Sequence, residues 1–235
     1  MYIRSMANDK IMSVDIHEFV EWDTVNWGKA IRFWEDKIEF KTDYKCLELG
    51  SNRGGLSLWM GIKGMEVICS DLDNPQTNAE PMHNKREGLN ISYEAINALE
   101  IPYENAFDII VFKSVLGGAS RGGSNENKQL VMDQIYKALK PGGKLLFAEN
   151  LRASGLHRFF RSQFVKWGND WNYLQIPELK KLLKNFSRSS YQPAGFFGAF
   201  GRSEKQRQVL GKLDNFIEKL FSKNQHYLVF GIAEK

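Results

Sequence analysis

The sequence predicts an α/β fold: a doubly wound, mostly parallel seven-stranded sheet with an antiparallel C-terminal strand and a helical cap. From Tyr44 onward, apolar segments rich in β-formers alternate with helix-like segments, which is the order of repeated βαβ units. These segments are apolar on both faces, as buried parallel strands require. Two late strand-like segments flank a charged helical segment and are placed to finish the sheet as an antiparallel pair.

Seven strands are predicted in chain order. Their sequences are YKCLELG, MEVICSDL, ISYEAINA, FDIIVFKSVL, KLLFAEN, SSYQPAGFFG and HYLVFGIAEK. Helices are expected from about Gly54, around Asn78–Arg86, over NKQLVMDQIYKALK, from Pro177, and from about Glu204 to Ser222. A Pro-Gly-Gly turn at 141–143 separates the third of these helices from the fifth strand.

A single domain over residues 1–235 accounts for this pattern, since neither an internal repeat nor a low-complexity tract interrupts it. Within it we expect an N-terminal helical cap at 1–43 and a cofactor-binding core at 44–150. Residues 151–235 would supply a cap over an acceptor and the final strands.

Composition favours a cytoplasmic globular protein. The chain is 43% hydrophobic, and it contains neither an apolar run of about 20 residues nor the apolar centre of a signal peptide. Cys46 and Cys69 are the two cysteines, and both are expected to be buried thiols, with no metal site. Residues 151–235 carry 15 Lys and Arg against 6 Asp and Glu, which indicates either an anionic partner or a solvated basic face.

The segment CLELGSNRGG runs from a strand through a glycine turn into a helix, which brings backbone close to a nucleotide-like ligand. Asp71 ends the next strand 21 residues after Gly50, close to the offset at which a carboxylate accepts ribose hydroxyls. The glycine spacing fits both a dinucleotide fingerprint and a methyltransferase loop. Glu48 favours the second, because an acid at the strand end could organise the loop and an ammonium group.

Over roughly residues 44–150 the chain resembles the class I S-adenosylmethionine-dependent methyltransferases, through ELGSNRGGLS, VICSDL, INALEIPYENAFDIIVF and LKPGGKLLF. The resemblance implies S-adenosylmethionine as the cofactor and methyl donor. It places the methionine part, the ribose and the adenine on successive groups of residues. These groups are Glu48, Gly50, Ser51 and Gly54 for the methionine part, Asp71 for the ribose, and Leu72, Asn97 and Ala98 for the adenine.

Two departures from the family pattern limit what the resemblance implies. Asn52 stands where the second motif glycine is expected, although Asn tolerates left-handed backbone well. Gly117 and Gly118 replace a pair of histidines that often follows the fourth strand, so no imidazole is carried over there. His157, which opens a basic aromatic segment, is the candidate general base for a hydroxyl acceptor.

The predicted function is methyl transfer to a hydroxyl or amine of a small-molecule or glycan-type acceptor. An RNA-directed methyltransferase and a non-catalytic S-adenosylmethionine-binding module are the alternatives. Nucleic acid is disfavoured as a partner, because FKSVLGG replaces the Asn/Asp-Pro-Pro-aromatic turn of enzymes that methylate the exocyclic amines of bases.

Two segments outside the sheet, 13–40 and 151–176, are predicted to close the acceptor pocket. Their aromatic residues recur at helical spacing: Phe19, Trp22, Trp27 and Trp34 in the first, and Phe160, Phe164, Trp167 and Trp171 in the second. Asp23 and Arg161 would then lie near the opening. The alternative is that both aromatic stripes are ordinary core.

Overall fold

A computed structural model describes residues 16–164 and 170–235 of the chain. The strands are β1 (Lys45–Leu49), β2 (Glu66–Asp71), β3 (Ile91–Ala95), β4 (Phe107–Lys113), β5 (Leu139–Asn150), β6 (Arg188–Ala194) and β7 (Leu228–Glu234). The helices are α1 (Thr24–Lys37), α2 (Gly55–Ile62), α3 (Gln76–His83), α4 (Leu116–Ala119), α5 (Asn125–Ala138), α6 (Gly155–Phe164), α7 (Ile176–Leu182) and α8 (Glu204–Ile217). Residues 16–20 form a further short helical segment.

The strands form one seven-stranded sheet in the order β3-β2-β1-β4-β5-β7-β6. β1 pairs in parallel with β2 and β4, β2 with β3, and β4 with β5. β7 lies antiparallel to both β5 and β6. The predicted fold class is therefore confirmed, including the antiparallel finish.

Alternation along the strands divides the interior into two hydrophobic cores, one on each face of the sheet. In β1, Leu47 and Leu49 belong to the core that α5 and α7 cover, whereas Cys46 belongs to the core that α1 and α2 cover. Glu48 points to the same face as Cys46 because side chains of a strand alternate. The sheet thus places one carboxylate beneath α2.

Helix α1 packs against the sheet and supplies core residues. Trp27 and Trp34 are buried, and Trp34 Nε1 donates a hydrogen bond of 2.9 Å to Gly231 O of β7. For these two tryptophans the core interpretation is correct and the lid interpretation is wrong. Trp167 lies outside the described residues.

The prediction that Asp23 lies near a pocket opening is also wrong. Asp23 is fully buried, and its carboxylate accepts hydrogen bonds from Tyr227 Oη and Asn26 Nδ2. Burial raises the pKa of Asp23 to about 7, although those two hydrogen bonds act in the opposite direction. Asp23 therefore joins the start of α1 to the residue that precedes β7.

Glu204, at the start of α8, caps α1 from 180 residues away. Its carboxylate accepts hydrogen bonds from Asp23 N at 2.7 Å, Thr24 N at 3.0 Å and Thr24 Oγ1 at 2.7 Å. Asp23 immediately precedes α1 and Thr24 is its first residue, and the backbone N–H groups at a helix start lack partners within the helix. The C-terminal part of the chain thus fixes the start of the N-terminal helix.

No helix within residues 16–164 and 170–235 is long and apolar enough to cross a membrane. The same residues contain no group of three or more His, Cys, Asp or Glu side chains placed to hold a metal ion. The division of the chain at residues 43 and 150 stays a prediction.

Glu204→Ala should lower the free energy of unfolding by about 1–2 kcal/mol, because it removes the acceptor for the α1 start. Urea denaturation measures this loss. Lys205→Ala, one residue along on the exposed side of α8, is the matched control and should change stability little. An equal loss in both variants would contradict the cap.

Candidate active site

A cavity of about 230 Å³ lies at the carboxyl ends of β1 and β4, where ligands bind in open parallel sheets. We call it the loop cavity, because the turn after β1 forms one wall. Its lining includes Glu48, Gly50, Ser51, Asn52, Gly55, Lys113, Ser114, Asn150 and Trp171, with Phe19, Glu21 and Trp22 closing it from the N-terminal side.

Glu48 fixes the beginning of α2. Its carboxylate accepts hydrogen bonds from Ser57 N at 2.7 Å, Ser57 Oγ at 2.6 Å and Leu56 N at 3.3 Å. A carboxylate at a helix N-terminus meets unpaired N–H groups and the positive end of the helix dipole. Burial nevertheless raises the pKa of Glu48 to about 7. Glu48 thus joins the end of β1 to the start of α2 across the intervening loop, as the sequence led us to expect. Its contact with an ammonium group stays a prediction.

Left-handed backbone carries the chain from β1 into α2. Gly50, Asn52 and Gly54 have φ of 64°, 50° and 74°. A Cβ atom on Gly54 would lie 2.7 Å from the His83 ring of α3, and His83 Nε2 contacts Gly54 O at 2.9 Å. On Gly50 a Cβ atom would meet Val115 instead of ligand space. These glycines therefore satisfy the packing of the turn, and Asn52 tolerates its own left-handed position.

Asp71 ends β2 beside this turn. Its Oδ2 accepts a hydrogen bond of 2.8 Å from Asn52 N, and its Oδ1 accepts one of 2.8 Å from Leu72 N. The carboxylate is half-buried and each oxygen keeps a further acceptor site. Leu72 is 67% exposed, which leaves an apolar side chain at the surface next to it.

Asn97 and Ala98 follow β3 at the same edge of the sheet, since Ile96 N donates to Asp71 O at 2.7 Å. Asn97 is exposed, and its Oδ1 accepts from Leu99 N at 3.0 Å in a local turn. Glu48, Gly50 and Ser51 line the loop cavity. Gly54, Asp71, Leu72, Asn97 and Ala98 lie outside its lining.

Lys113 is a site residue that sequence reasoning missed. It ends β4, and its Nζ donates to Val20 O at 3.0 Å and lies 5.4 Å from the centre of the Trp27 ring. Burial lowers the pKa of Lys113, while Glu21 and Glu48 act in the opposite direction. A charged residue that follows four apolar residues and ends the strand at the carboxyl edge was the available signal.

A second cavity of about 780 Å³ adjoins the first, and Trp22 and Asn150 line both. We call it the arginine cavity. Six aromatic side chains and three arginines form most of its wall: Trp22, Phe160, Phe164, Tyr173, Phe200 and Tyr227, with Arg161, Arg202 and Arg207. Both segments that were predicted to close the acceptor pocket contribute to this wall. Residues 199–207 contribute as well, and they lie within the predicted cap region 151–235 but outside those two segments.

His157 lies buried in the wall of the arginine cavity. Its Nδ1 is 2.7 Å from Ser154 Oγ and its Nε2 is 2.8 Å from Phe196 O, so both ring nitrogens have partners. Burial lowers the pKa of His157 to about 4. Its role as general base stays a prediction, and this geometry favours a role in holding α6 against residues 196–200.

The family model described as a methyltransferase domain matches residues 47–147, which hold most of β1, all of β2 to β4, most of β5 and the turn at Gly50–Gly54. Over these residues the chain is similar to the methyltransferase domain family. Ubiquinone/menaquinone biosynthesis C-methyltransferase UbiE of Shewanella sp. (strain W3-18-1) is 29% identical over 151 residues, which are 61% of this chain and 53% of that protein. The chain thus spans about half the length of this curated relative.

Solved structures share the fold at low sequence identity. Phosphoethanolamine N-methyltransferase 2 of Haemonchus contortus, solved with phosphomonomethylethanolamine and S-adenosylhomocysteine, has a TM-score of 0.61 and 18% identity over 89% of this chain and 52% of that one. The [4+2]-cyclase SpnF has a TM-score of 0.60 and 15% identity over 88% of this chain and 80% of that one. The fold alone therefore does not specify the reaction.

The contribution of Glu48 to the stability of this protein should fall as pH rises from about 4.5 to about 7. The pKa of Glu48 is raised from 4.5 to about 7 by burial, so the native state holds a proton that the unfolded chain has released. That contribution is complete below pH 4.5 and is lost through about pH 7, with a magnitude on the order of 3 kcal/mol.

Denaturation at a series of pH values measures this effect in the wild type and in Glu48→Gln. Because glutamine does not titrate, the stability gap between the two should narrow as pH rises. Glu66→Gln, at the exposed start of β2, is the control and should keep the wild-type slope. A gap that stays constant across the range would mean that Glu48 is ionised throughout.

Proposed function

We propose that this chain transfers a methyl group from S-adenosylmethionine to a hydroxyl or amine of a small-molecule or glycan-type acceptor. One observation carries the proposal. The loop cavity, at the strand ends, adjoins the larger arginine cavity, and Trp22 and Asn150 line both. A donor in the first cavity and an acceptor in the second would meet at that wall.

The loop cavity fits the methionine end of the donor. Ser51 Oγ is buried, and among the described residues the weakly bonding Cys69 thiol is its partner, which leaves the hydroxyl available to a polar ligand atom. Lys113 offers a cation for the carboxylate of the methionine moiety, and Glu21 lines the same cavity as an anion for its ammonium group. Asp71 would hold the ribose hydroxyls, and the exposed Leu72 would cover the adenine.

S-adenosylmethionine, when bound, supplies a methyl group that its sulfonium makes electrophilic. The protein's task is then to align an acceptor lone pair and to exclude water. Trp22 would shield the junction. Asn150 donates from Nδ2 to Ser114 Oγ at 2.8 Å, which leaves its Oδ1 to accept a hydrogen bond from the acceptor hydroxyl or amine.

Asp71→Ala should weaken S-adenosylhomocysteine binding by about 1–3 kcal/mol, the scale for removing one charged hydrogen-bond partner. Isothermal titration calorimetry measures the affinity. Asp73→Ala, two residues further along in the exposed segment after β2, is the control and should bind as the wild type does. Unchanged affinity in a folded Asp71→Ala variant would reject the ribose assignment.

Lys113→Met should weaken binding of S-adenosylhomocysteine about tenfold or more, because the carboxylate loses its cation. The same variant should bind 5′-methylthioadenosine, which lacks the amino acid part, with wild-type affinity. Equal losses for both ligands would place Lys113 in a structural role.

Incubation with methyl-labelled donor tests the activity itself. Label should appear in a small-molecule or glycan fraction, and total RNA should stay unlabelled. Transfer to RNA would replace the proposal with the RNA-directed alternative. Donor binding without transfer to any fraction would support a non-catalytic module.

A further inference from the structure

The arginine cavity brings together three guanidinium groups. Arg161, Arg202 and Arg207 line it, and within the described part of the chain none of them forms an ion pair with an Asp or Glu side chain. Asp and Glu are likewise missing from its lining as far as residues 16–164 and 170–235 show. The cavity is thus a site of positive charge inside aromatic walls.

Two carboxylates of α8, the helix that carries Arg207, accept hydrogen bonds from other groups. Glu204 accepts its hydrogen bonds from Asp23 N, Thr24 N and Thr24 Oγ1. Asp214 accepts from Phe197 N at 2.7 Å, Gly198 N at 3.0 Å and Asn26 Nδ2 at 3.0 Å. These carboxylates thus accept their hydrogen bonds from backbone N–H groups and from the side chains of Thr24 and Asn26. Glu204 and Arg207 attract each other electrostatically, but no ion pair joins them in the described part of the chain.

Aromatic rings hold the arginines in place. The guanidinium carbon of Arg161 lies 4.1 Å from the centre of the Tyr173 ring, and those of Arg202 and Arg207 lie 5.1 Å and 5.2 Å from the Phe164 and Trp22 rings. Arg161 Nη1 also donates to Leu151 O at 2.9 Å. A guanidinium stacked on a ring keeps its N–H edge for an oxyanion.

Arg207 Nε is the most informative of these groups. It is buried and has no hydrogen-bond partner among the described residues, although a buried donor left unpaired costs free energy. A bound oxyanion would remove that cost. Because Arg207 packs on Trp22, the anion would lie on the side of the cavity that faces the donor junction.

We infer that the methyl acceptor is an organic anion, with an aromatic or apolar ring body and a carboxylate or phosphate that the three arginines bind. The inference rests on the proposed function and specifies its acceptor. The six aromatic side chains take the ring body, and a bidentate contact with a guanidinium fork orients the anion. With its anionic group held by the arginines, the acceptor would turn the atom that receives the methyl group toward Asn150.

Three probes of one shape test this inference: 2-naphthoate, 2-naphthyl phosphate and the neutral 2-naphthalenemethanol. Each is titrated by calorimetry into the full chain saturated with S-adenosylhomocysteine. At least one anion should bind about tenfold or more tighter than the alcohol. The comparison of carboxylate with phosphate shows which anion the site prefers.

Arg207→Gln and Arg202→Gln should each remove most of the preference for the anion and leave binding of the alcohol unchanged. Arg188→Gln, on the exposed edge strand β6 and outside the cavity, is the matched control and should keep the full preference. Thermal unfolding and S-adenosylhomocysteine affinity check that each variant is folded.

The outcomes distinguish a failure of the proposed function from a failure of the anionic acceptor alone. Failure to bind S-adenosylhomocysteine would count against the proposed function. Normal S-adenosylhomocysteine binding, with the alcohol binding as tightly as the anions or with no binding of either anion, would overturn the anionic acceptor alone. An equal loss of preference in Arg188→Gln would also overturn it, because the effect would then be general charge.

Discussion

The buried contact between the Glu48 carboxylate and the first N–H groups of α2 is the constraint on which the site depends. Strand alternation places Glu48 beneath α2, where its buried oxygen atoms must find hydrogen-bond donors, and Leu56 and Ser57 provide them. With the helix start fixed this close to the strand end, the intervening turn has few residues and must use left-handed backbone. The same turn brings Asn52 N to Asp71, so two strands meet at one ligand edge.

Carboxylates also accept hydrogen bonds from backbone N–H groups at the starts of other helices. Glu149, near the end of β5, is buried and accepts from Leu116 N at the start of α4, and burial raises the pKa of Glu149 to about 7. Glu204 serves α1 in the same way. Each carboxylate replaces a local cap with a contact between distant segments, and the elements around both cavities are thereby held to one another.

Sequence was sufficient where structure depends on short spacing. The order of strands along the chain, the glycine turn, and the positions of Glu48 and Asp71 beside that turn all follow from patterns within about 25 residues. The roles of these residues in binding stay predictions. The burial of Asp23 could not be predicted in this way, because it depends on Tyr227, 204 residues away. Gly117 and Gly118 suggested only a lost imidazole, whereas a Cβ atom on Gly118 would lie 3.1 Å from the Trp171 ring that packs there. The three arginines converge only after the C-terminal segments fold back over the sheet.

The arginine cavity has a consequence for how this protein can change over evolutionary time. Among its lining residues only Asn150 belongs to a sheet strand, and the rest come from loops and helices at the rim. Replacement of Arg202 or Phe164 would therefore alter the shape and charge offered to a guest without disturbing the parallel strands. The side chains that would contact a guest can thus change at the rim while the parallel strands and the turn after β1 keep their packing.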